Sequence, residues 1–135
     1  MPPRFQFEFF YPNQPTISVR VLSRATGSSR VISALVDTGA DVSLFDSLLA
    51  ERLGLSLNAA HRVIVEGVGG SRVDAALVEV EVRLLDEEEL TVTLPVAFAP
   101  AQATTVGSLI GLDVLAHFDF GLSHRDRLGY LGRPA

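Results

Sequence analysis

One short segment of the sequence, Asp37-Thr38-Gly39, has residue types that could carry out acid–base chemistry. Largely apolar stretches flank it at residues 32–36 and 42–45. This pattern predicts a carboxylate at the end of a buried strand, beside a glycine that permits a sharp turn. Such an acid would be held at the edge of a cleft. The triplet alone arises by chance in roughly a few per cent of chains of this length, so its surroundings carry the argument.

The surroundings of Asp37 resemble the active-site segment of retropepsin-like aspartic proteases, the single-domain relatives of pepsin. The matching stretch is ALVDTGAD at residues 34–41. Two further segments follow in the order that the family has. VEGVGG at residues 65–70 resembles the glycine-rich tip of a flap, and SLIGLDVL at residues 108–115 resembles the second family signature. The resemblance covers roughly residues 16 to 131.

The elements that must position Asp37 are mostly strands. Alternating apolar residues predict strands near residues 5–9, 17–21, 78–84 and 90–98, and further strands are predicted from residue 118 and over 128–131. Short helices are predicted over residues 46–53, with Asp46 as N-cap and Gly54 as C-cap, and over 113–117. These elements fit the closed barrel of the acid protease fold, mostly β with two short helices, that the resemblance implies.

Length and composition favour one globular domain. The chain has 135 residues, of which 47% are hydrophobic and 20% charged. We expect residues 1–15 to form an N-terminal extension or edge strand and residues 16–135 to form the single protease domain. The alternating Phe5, Phe7 and Phe9 could cover an edge, pair with a dimer partner or form a plain core strand.

Charge and composition also exclude several classes of function. The net charge of −5 argues against nucleic acid as a partner, because phosphate binding needs a basic face. The absence of cysteine excludes disulfides and thiolate chemistry. We expect no metal and no cofactor. With no apolar run of about 20 residues and no signal-peptide pattern, the expectation is a cytoplasmic protein without a membrane partner. Arginine is the only type among the 11 basic side chains, which favours a bacterial genome of high GC content.

The resemblance implies peptide hydrolysis by two aspartates that share one proton. Two carboxylates about 3 Å apart cannot both ionise, an established property of the aspartic protease class. One acts as a base on a bound water and the other as an acid toward the scissile carbonyl. Because the sequence has only one Asp-Thr-Gly segment, the second Asp37 must come from a second copy of the chain. The expectation is therefore a two-fold symmetric homodimer with the active site on its axis.

The same resemblance assigns roles to other site residues. Asp37, Thr38 and Gly39 form the catalytic segment, in which Thr38 links the two active-site loops and Gly39 lets the loop turn. The residues assigned to substrate binding are Ala40, Asp41, Gly67, Val68, Gly69, Gly70 and Ile110. Three of these assignments have structural alternatives. Asp41 could simply hold the loop, the glycines could form an ordinary hairpin turn, and Ile110 could pack in the core.

The segment around Gly111 departs from the retroviral pattern. Leu112 stands where the retroviral enzymes usually have an arginine that ties the dimer to the active-site loop. Asp113 is predicted to be a helix N-cap and not a second catalytic acid.

Three functions fit these residues. The first is an aspartic endopeptidase that acts on extended polypeptide, with apolar residues preferred around the cut. The second is a non-catalytic retropepsin-fold module for dimerisation or peptide binding. The third is a small-molecule-binding β-barrel in which the motif is incidental.

Overall fold

The computed structural model describes residues 4–58, 60–66, 72–100 and 107–134. Ten strands and two short helices lie in this part of the chain. In chain order they are β1 (Phe7–Phe10), β2 (Thr16–Leu22), β3 (Ser29–Val36), β4 (Leu44–Asp46), α1 (Ser47–Arg52), β5 (His61–Glu66), β6 (Arg72–Leu84), β7 (Thr91–Ala99), β8 (Leu109–Ile110), α2 (Leu112–Leu115), β9 (Asp119–Ser123) and β10 (Leu128–Gly132). The prediction of a mostly β fold with two short helices is confirmed.

Seven of the strands form a sheet that closes on itself. Their order is β2-β3-β8-β4-β7-β6-β5, and an additional pairing of β2 with β6 completes a ring. Most neighbours are antiparallel, but β8 runs parallel to β3, and β4 runs parallel to β7. These short parallel pairings bring the end of β3 beside β8, at the place where the Asp37 segment begins.

Strand β6 is the central element of the ring. One edge of it pairs first with β5 and then with β2, while its other edge pairs with β7 over residues 76–83. The sequence analysis predicted only residues 78–84 of this strand, because strict alternation is lost at the neighbouring Ala75 and Ala76. Both alanines are fully buried, so the strand has apolar contacts on both faces there.

The main core lies inside the ring and against both helices. Its largest fully buried side chains are Phe45, Phe98, Ile17, Leu53, Leu84, Leu90, Ile110 and Leu131. Phe45 and Phe98 meet edge to face, with ring centroids 5.7 Å apart. These contacts fix β4 against β7 and so fix the far end of the segment that follows Asp37.

A separate three-stranded sheet in the order β1-β10-β9 joins the two ends of the chain. Phe9 is buried in the main core, Phe7 packs partly against it, and Phe5 is more exposed. The core-strand alternative therefore holds for Phe9. The next residue, Phe10, points outward and is 74% exposed.

Both helices lie near the predicted positions, with two differences in capping. The carboxylate of Asp46 accepts a hydrogen bond from the backbone N–H of Leu48, which confirms Asp46 as the N-cap of α1. The C-cap of α1 is Leu53 and not Gly54, which follows it with a φ of +71°. The prediction that Asp113 caps α2 is wrong. Gly111 is the N-cap residue, and Asp113 lies within the first turn, where its carboxylate accepts from the N–H of Val114 and from Ser43.

Within the described ranges, no helix is long and apolar enough to cross a membrane.

Candidate active site

Asp37 follows directly on β3, as the sequence predicts, and its side chain is half-buried. Its backbone N–H donates to the carbonyl oxygen of Ile110 over 2.9 Å. Its carboxylate oxygen Oδ1 accepts a hydrogen bond of 3.0 Å from the backbone N–H of Gly39. The carbonyl of Asp37 also accepts from the N–H of Ala40, at 3.2 Å. The local turn therefore fixes both the backbone and one carboxylate oxygen of Asp37.

Two segments run side by side at this site: residues 37–43, here called the acid loop, and residues 110–113. Besides the bond from Asp37 to Ile110, the N–H of Leu112 donates to the carbonyl of Ala40 over 2.8 Å. The N–H of Asp113 donates to the carbonyl of Asp41 over 3.1 Å. The two segments that the sequence analysis singled out by resemblance are therefore bound directly to each other.

Gly111 is required by the closeness of these two segments. A Cβ atom at this position would lie 2.7 Å from the carbonyl oxygen of Ala40 and 2.9 Å from the carbonyl carbon and oxygen of Val42. All three are backbone atoms, which cannot move aside as the end of a flexible side chain could. The glycine is thus needed for space and not for an unusual backbone angle, since its φ is −105°.

Ser43 and Asp113 close the far end of the acid loop. The Ser43 hydroxyl donates to Oδ1 of Asp113 over 2.6 Å and accepts from the N–H of Gly111 over 2.9 Å. The backbone N–H of Ser43 donates to both carboxylate oxygens of Asp113, each at 2.9 Å. Ser43 is fully buried. The sequence analysis missed Ser43, because a lone serine inside an apolar stretch carries no signal of its partner.

The remaining predicted residues of the loop face solvent. Thr38, Gly39 and Asp41 are exposed, and Ala40 is partly so. Their side chains are accessible to a second molecule. The predicted flap residues Gly67, Val68, Gly69 and Gly70 lie outside the described residues. The antiparallel arms that flank them, β5 and the start of β6, pair in register with Glu66 opposite Arg72.

Ile110 and its neighbour Leu109 face opposite sides of β8 and differ in burial. The side chain of Ile110 is fully buried in the main core, which is the packing alternative, and its carbonyl holds the N–H of Asp37. Leu109 points to the opposite face of β8, where it is only partly buried. Period-two alternation along β8 could have indicated this difference.

Leu109 belongs to a second apolar cluster, here called the cleft cluster. It is separate from the main core and lies between the β5–β6 arms and strands β4, β7 and β8. Its buried members are Leu44, Ala75, Ala97 and Ala99, and its partly buried members are Val63, Val65, Val73, Leu77 and Leu109. Pairing of Leu109 with both Leu35 and Leu44 places the cluster beside the acid loop. An apolar surface of this kind can receive aliphatic side chains of a ligand.

The part of the chain that the structure describes contains no group of three or more His, Asp or Glu side chains arranged to hold a metal ion. The carboxylate of Asp113, the acid on the second of the paired segments, is engaged by Ser43. Asp37 therefore remains the candidate for acid–base chemistry.

Comparison with known proteins agrees with this geometry. A family model described as aspartyl protease matches residues 21–114. Among solved structures, a retropepsin-like aspartic protease from Rickettsia conorii is similar with a TM-score of 0.66 and 18% identity, covering 94% of this chain and 91% of that one. EIAV protease complexed with the inhibitor HBY-793 is similar with a TM-score of 0.55 and 21% identity, covering 77% and 86% respectively. A search of curated proteins found no match. The chain therefore belongs to the aspartyl protease family and has the retropepsin-like fold.

Proposed function

We propose that this protein is an aspartic endopeptidase that acts as a homodimer, with a water molecule activated between two Asp37 carboxylates. The observation that carries the proposal is the setting of Asp37. Its backbone is bonded to Ile110, one carboxylate oxygen is oriented by the Gly39 N–H, and the loop around it is open to a second molecule. Membership of the aspartyl protease family supports the same chemistry.

Two copies of Asp37 are needed because the reaction requires a base and an acid together. One carboxylate takes a proton from water as the water oxygen bonds to the peptide carbonyl carbon. The protonated carboxylate gives its proton to the carbonyl oxygen, which produces a tetrahedral diol. In the collapse of the diol, the carboxylate that gained the proton gives it to the leaving nitrogen, the other carboxylate takes a proton from a diol hydroxyl, and the C–N bond breaks. The shared proton is thereby regenerated, and neither role belongs permanently to one copy.

We further propose that the substrate is a polypeptide in an extended conformation. The cleft cluster offers an aliphatic surface beside the acid loop, made of its partly buried valines and leucines. The β5–β6 arms contribute to this surface and lead to the predicted flap residues Gly67, Val68, Gly69 and Gly70. An extended peptide between the acid loop and these flap residues would have its backbone and alternate side chains engaged from two sides. In this proposal Ala40 and Asp41 contact the substrate backbone, and Thr38 links the two loops across the axis.

A non-catalytic peptide-binding or dimerisation module is the second candidate. The observation that favours it is Leu112, which is 41% exposed and uncharged at the position where the retroviral enzymes usually have an arginine. A folded dimer that binds peptides without cleaving them would support this candidate.

The deciding experiment is digestion of a mixed peptide library, read by mass spectrometry at pH values from about 3 to 7, which span the range of a shared-proton pair. Wild type is compared with Asp37→Asn at equal concentration. We expect cleavage by wild type alone, with aliphatic residues enriched around the cut. The asparagine side chain has nearly the same shape as aspartate but cannot exchange the proton. Equal cleavage by both proteins would refute the proposal, and silence from both with an intact dimer would favour the second candidate.

A further inference from the structure

The acid loop is tied to the rest of the subunit at both of its ends. At the first end, the N–H of Asp37 donates to the carbonyl of Ile110. At the second end, Ser43 and Asp113 exchange the hydrogen bonds described above. Between the ends, the carbonyls of Ala40 and Asp41 accept from the N–H groups of Leu112 and Asp113, while residues 38–42 are more exposed. The attachment at Ser43 differs from these backbone bonds because side chains make it, so a substitution can remove it.

The second attachment gives the buried hydroxyl of Ser43 both an acceptor and a donor. The Ser43 hydroxyl uses its proton on Asp113 and a lone pair on the N–H of Gly111. At 2.6 Å, the bond to Asp113 has the short length of a hydroxyl bonded to a carboxylate. Fully satisfied buried networks hold a single arrangement, because any other leaves a polar group without a partner. The Ser43–Asp113 pair therefore fixes the loop in one register against residues 110–113.

We propose that Ser43 and Asp113 are positioning residues, which set the geometry of Asp37 from within one subunit before any partner binds. This inference rests on the proposed function, because it concerns the placement of the same carboxylate. Position 112 cannot supply an ion pair for this purpose, since Leu112 is uncharged. The internal hydrogen bonds of Ser43 and Asp113 supply the restraint, and the acid loop is formed without help from the second copy.

The test compares Ser43→Ala with Ser43→Thr, which keeps the hydroxyl, and with Ser123→Ala as a matched control. Ser123 also bonds an aspartate, Asp126, but it is the last residue of β9, beside the exposed turn over residues 124–127 and away from the acid loop. We expect Ser43→Ala to lower kcat by about 10- to 100-fold, as small misplacements of a reacting group do. KM should change less than about threefold, and the dimer fraction should stay the same, because the loop surface is retained. Ser43→Thr should recover most of kcat, and Ser123→Ala should match wild type.

Amide hydrogen exchange gives a reading that does not depend on activity. The Gly111 N–H should be protected in wild type at concentrations where the protein is monomeric, and it should lose protection in Ser43→Ala. An unprotected Gly111 in the wild-type monomer would overturn the proposal, as would unchanged kcat in Ser43→Ala. Absence of cleavage by wild type would refute the proposed function alone, and the exchange result would then decide the Ser43–Asp113 restraint.

A second variant, Asp113→Asn, guards against failure of Ser43→Ala to fold. Its amide oxygen can replace Oδ1, which accepts from both the backbone N–H and the hydroxyl of Ser43. We expect Asp113→Asn to fold and to keep more of kcat than Asp113→Ala. Equal kcat in wild type, Asp113→Asn and Asp113→Ala would also overturn the proposal.

Discussion

Gly111 shows how a single missing side chain can allow the two halves of a site to meet. A Cβ at this position would lie within 2.9 Å of three backbone atoms of the acid loop. We expect Gly111→Ala to lower the free energy of unfolding by about 2 kcal/mol or more, because the loop must move away to accept the methyl group. Denaturant unfolding monitored by circular dichroism measures the loss.

Gly121→Ala is the matched control for this substitution. A Cβ there would meet the Phe5 ring at 3.5 Å, which is ordinary contact distance. We expect its free energy of unfolding to stay within about 0.5 kcal/mol of wild type, as is usual when no clash is created. Similar losses in both variants would show that the crowding at Gly111 is not the cause.

The sequence was sufficient to find Asp37 because its signal is local. A carboxylate, a small hydroxyl residue and a glycine follow a strand within a few positions of one another. Ser43 could not be found in this way, because its partner Asp113 lies 70 positions further along the chain. The resemblance assigned Ile110 to substrate binding, but its side chain packs in the main core, while Leu109 faces the opposite side of the strand. Which face of β8 points into the core is set by the closed seven-stranded sheet, and the local sequence does not reveal it.

At the scale of elements, an ion pair joins strand β2 to the turn between β6 and β7. The Arg20 guanidinium contacts both carboxylate oxygens of Asp86, at 2.6 and 3.0 Å. The hydrogen bonding from Arg20 and its positive charge hold the pKa of Asp86 below its usual value. Because the folded-state pKa is the lower one, the pair stabilises the fold above the unfolded-state pKa near 4, and this contribution is lost as the pH falls through the folded-state value.

Asp86→Asn should therefore be less stable than wild type at pH 7, and the difference should shrink as the pH is lowered below about 4. Asparagine also tolerates the positive φ of 55° at this position, so backbone strain does not confuse the comparison. Thermal unfolding of both proteins across the pH series measures the effect. In an Arg20→Gln background most of the pH-dependent difference should be lost, with a smaller part left by the positive charge of Arg83. An undiminished difference there would contradict the assignment to Arg20.

The elements that sequence alone located well are those with a clear period or cap. Strand β2 alternates regularly, and α1 begins at its aspartate cap. Residues 72–77 of β6 were missed because strict alternation is lost at Ala75 and Ala76. Both are fully buried, so apolar residues face both sides of the strand there and the period of two disappears.

At the scale of the whole molecule, the proposed site is complete only when two chains meet. Adding Asp37→Asn protein to wild type, well above the dimer dissociation constant, should therefore reduce activity. With equal amounts and random exchange of subunits, about half of the wild-type activity should remain, because mixed dimers carry a single Asp37. The measurement is the initial rate of peptide cleavage after the two proteins have equilibrated.

Ser123→Ala protein is the control for that mixing experiment, since it should form fully active mixed dimers. Activity that stays constant as Asp37→Asn is added would mean that a single chain performs the chemistry. A dependence of the rate on total concentration, falling as dimers dissociate on dilution, should accompany the expected result.

Strand β6 is paired on both edges along most of its length but on one edge only at its start. Its 13 residues extend about 40 Å, from the arm beside the cleft to the Arg20–Asp86 pair. Residues 76–83 pair with β7, whereas residues 72–75 have only β5 as a partner among the described strands. Displacement of residues 72–75 relative to the ring therefore has to bend the strand near Ala75 and Ala76, where its pairing with β7 begins. The arm that pairs with β5 and the segment that closes the ring by pairing with β2 are thus parts of one continuous strand.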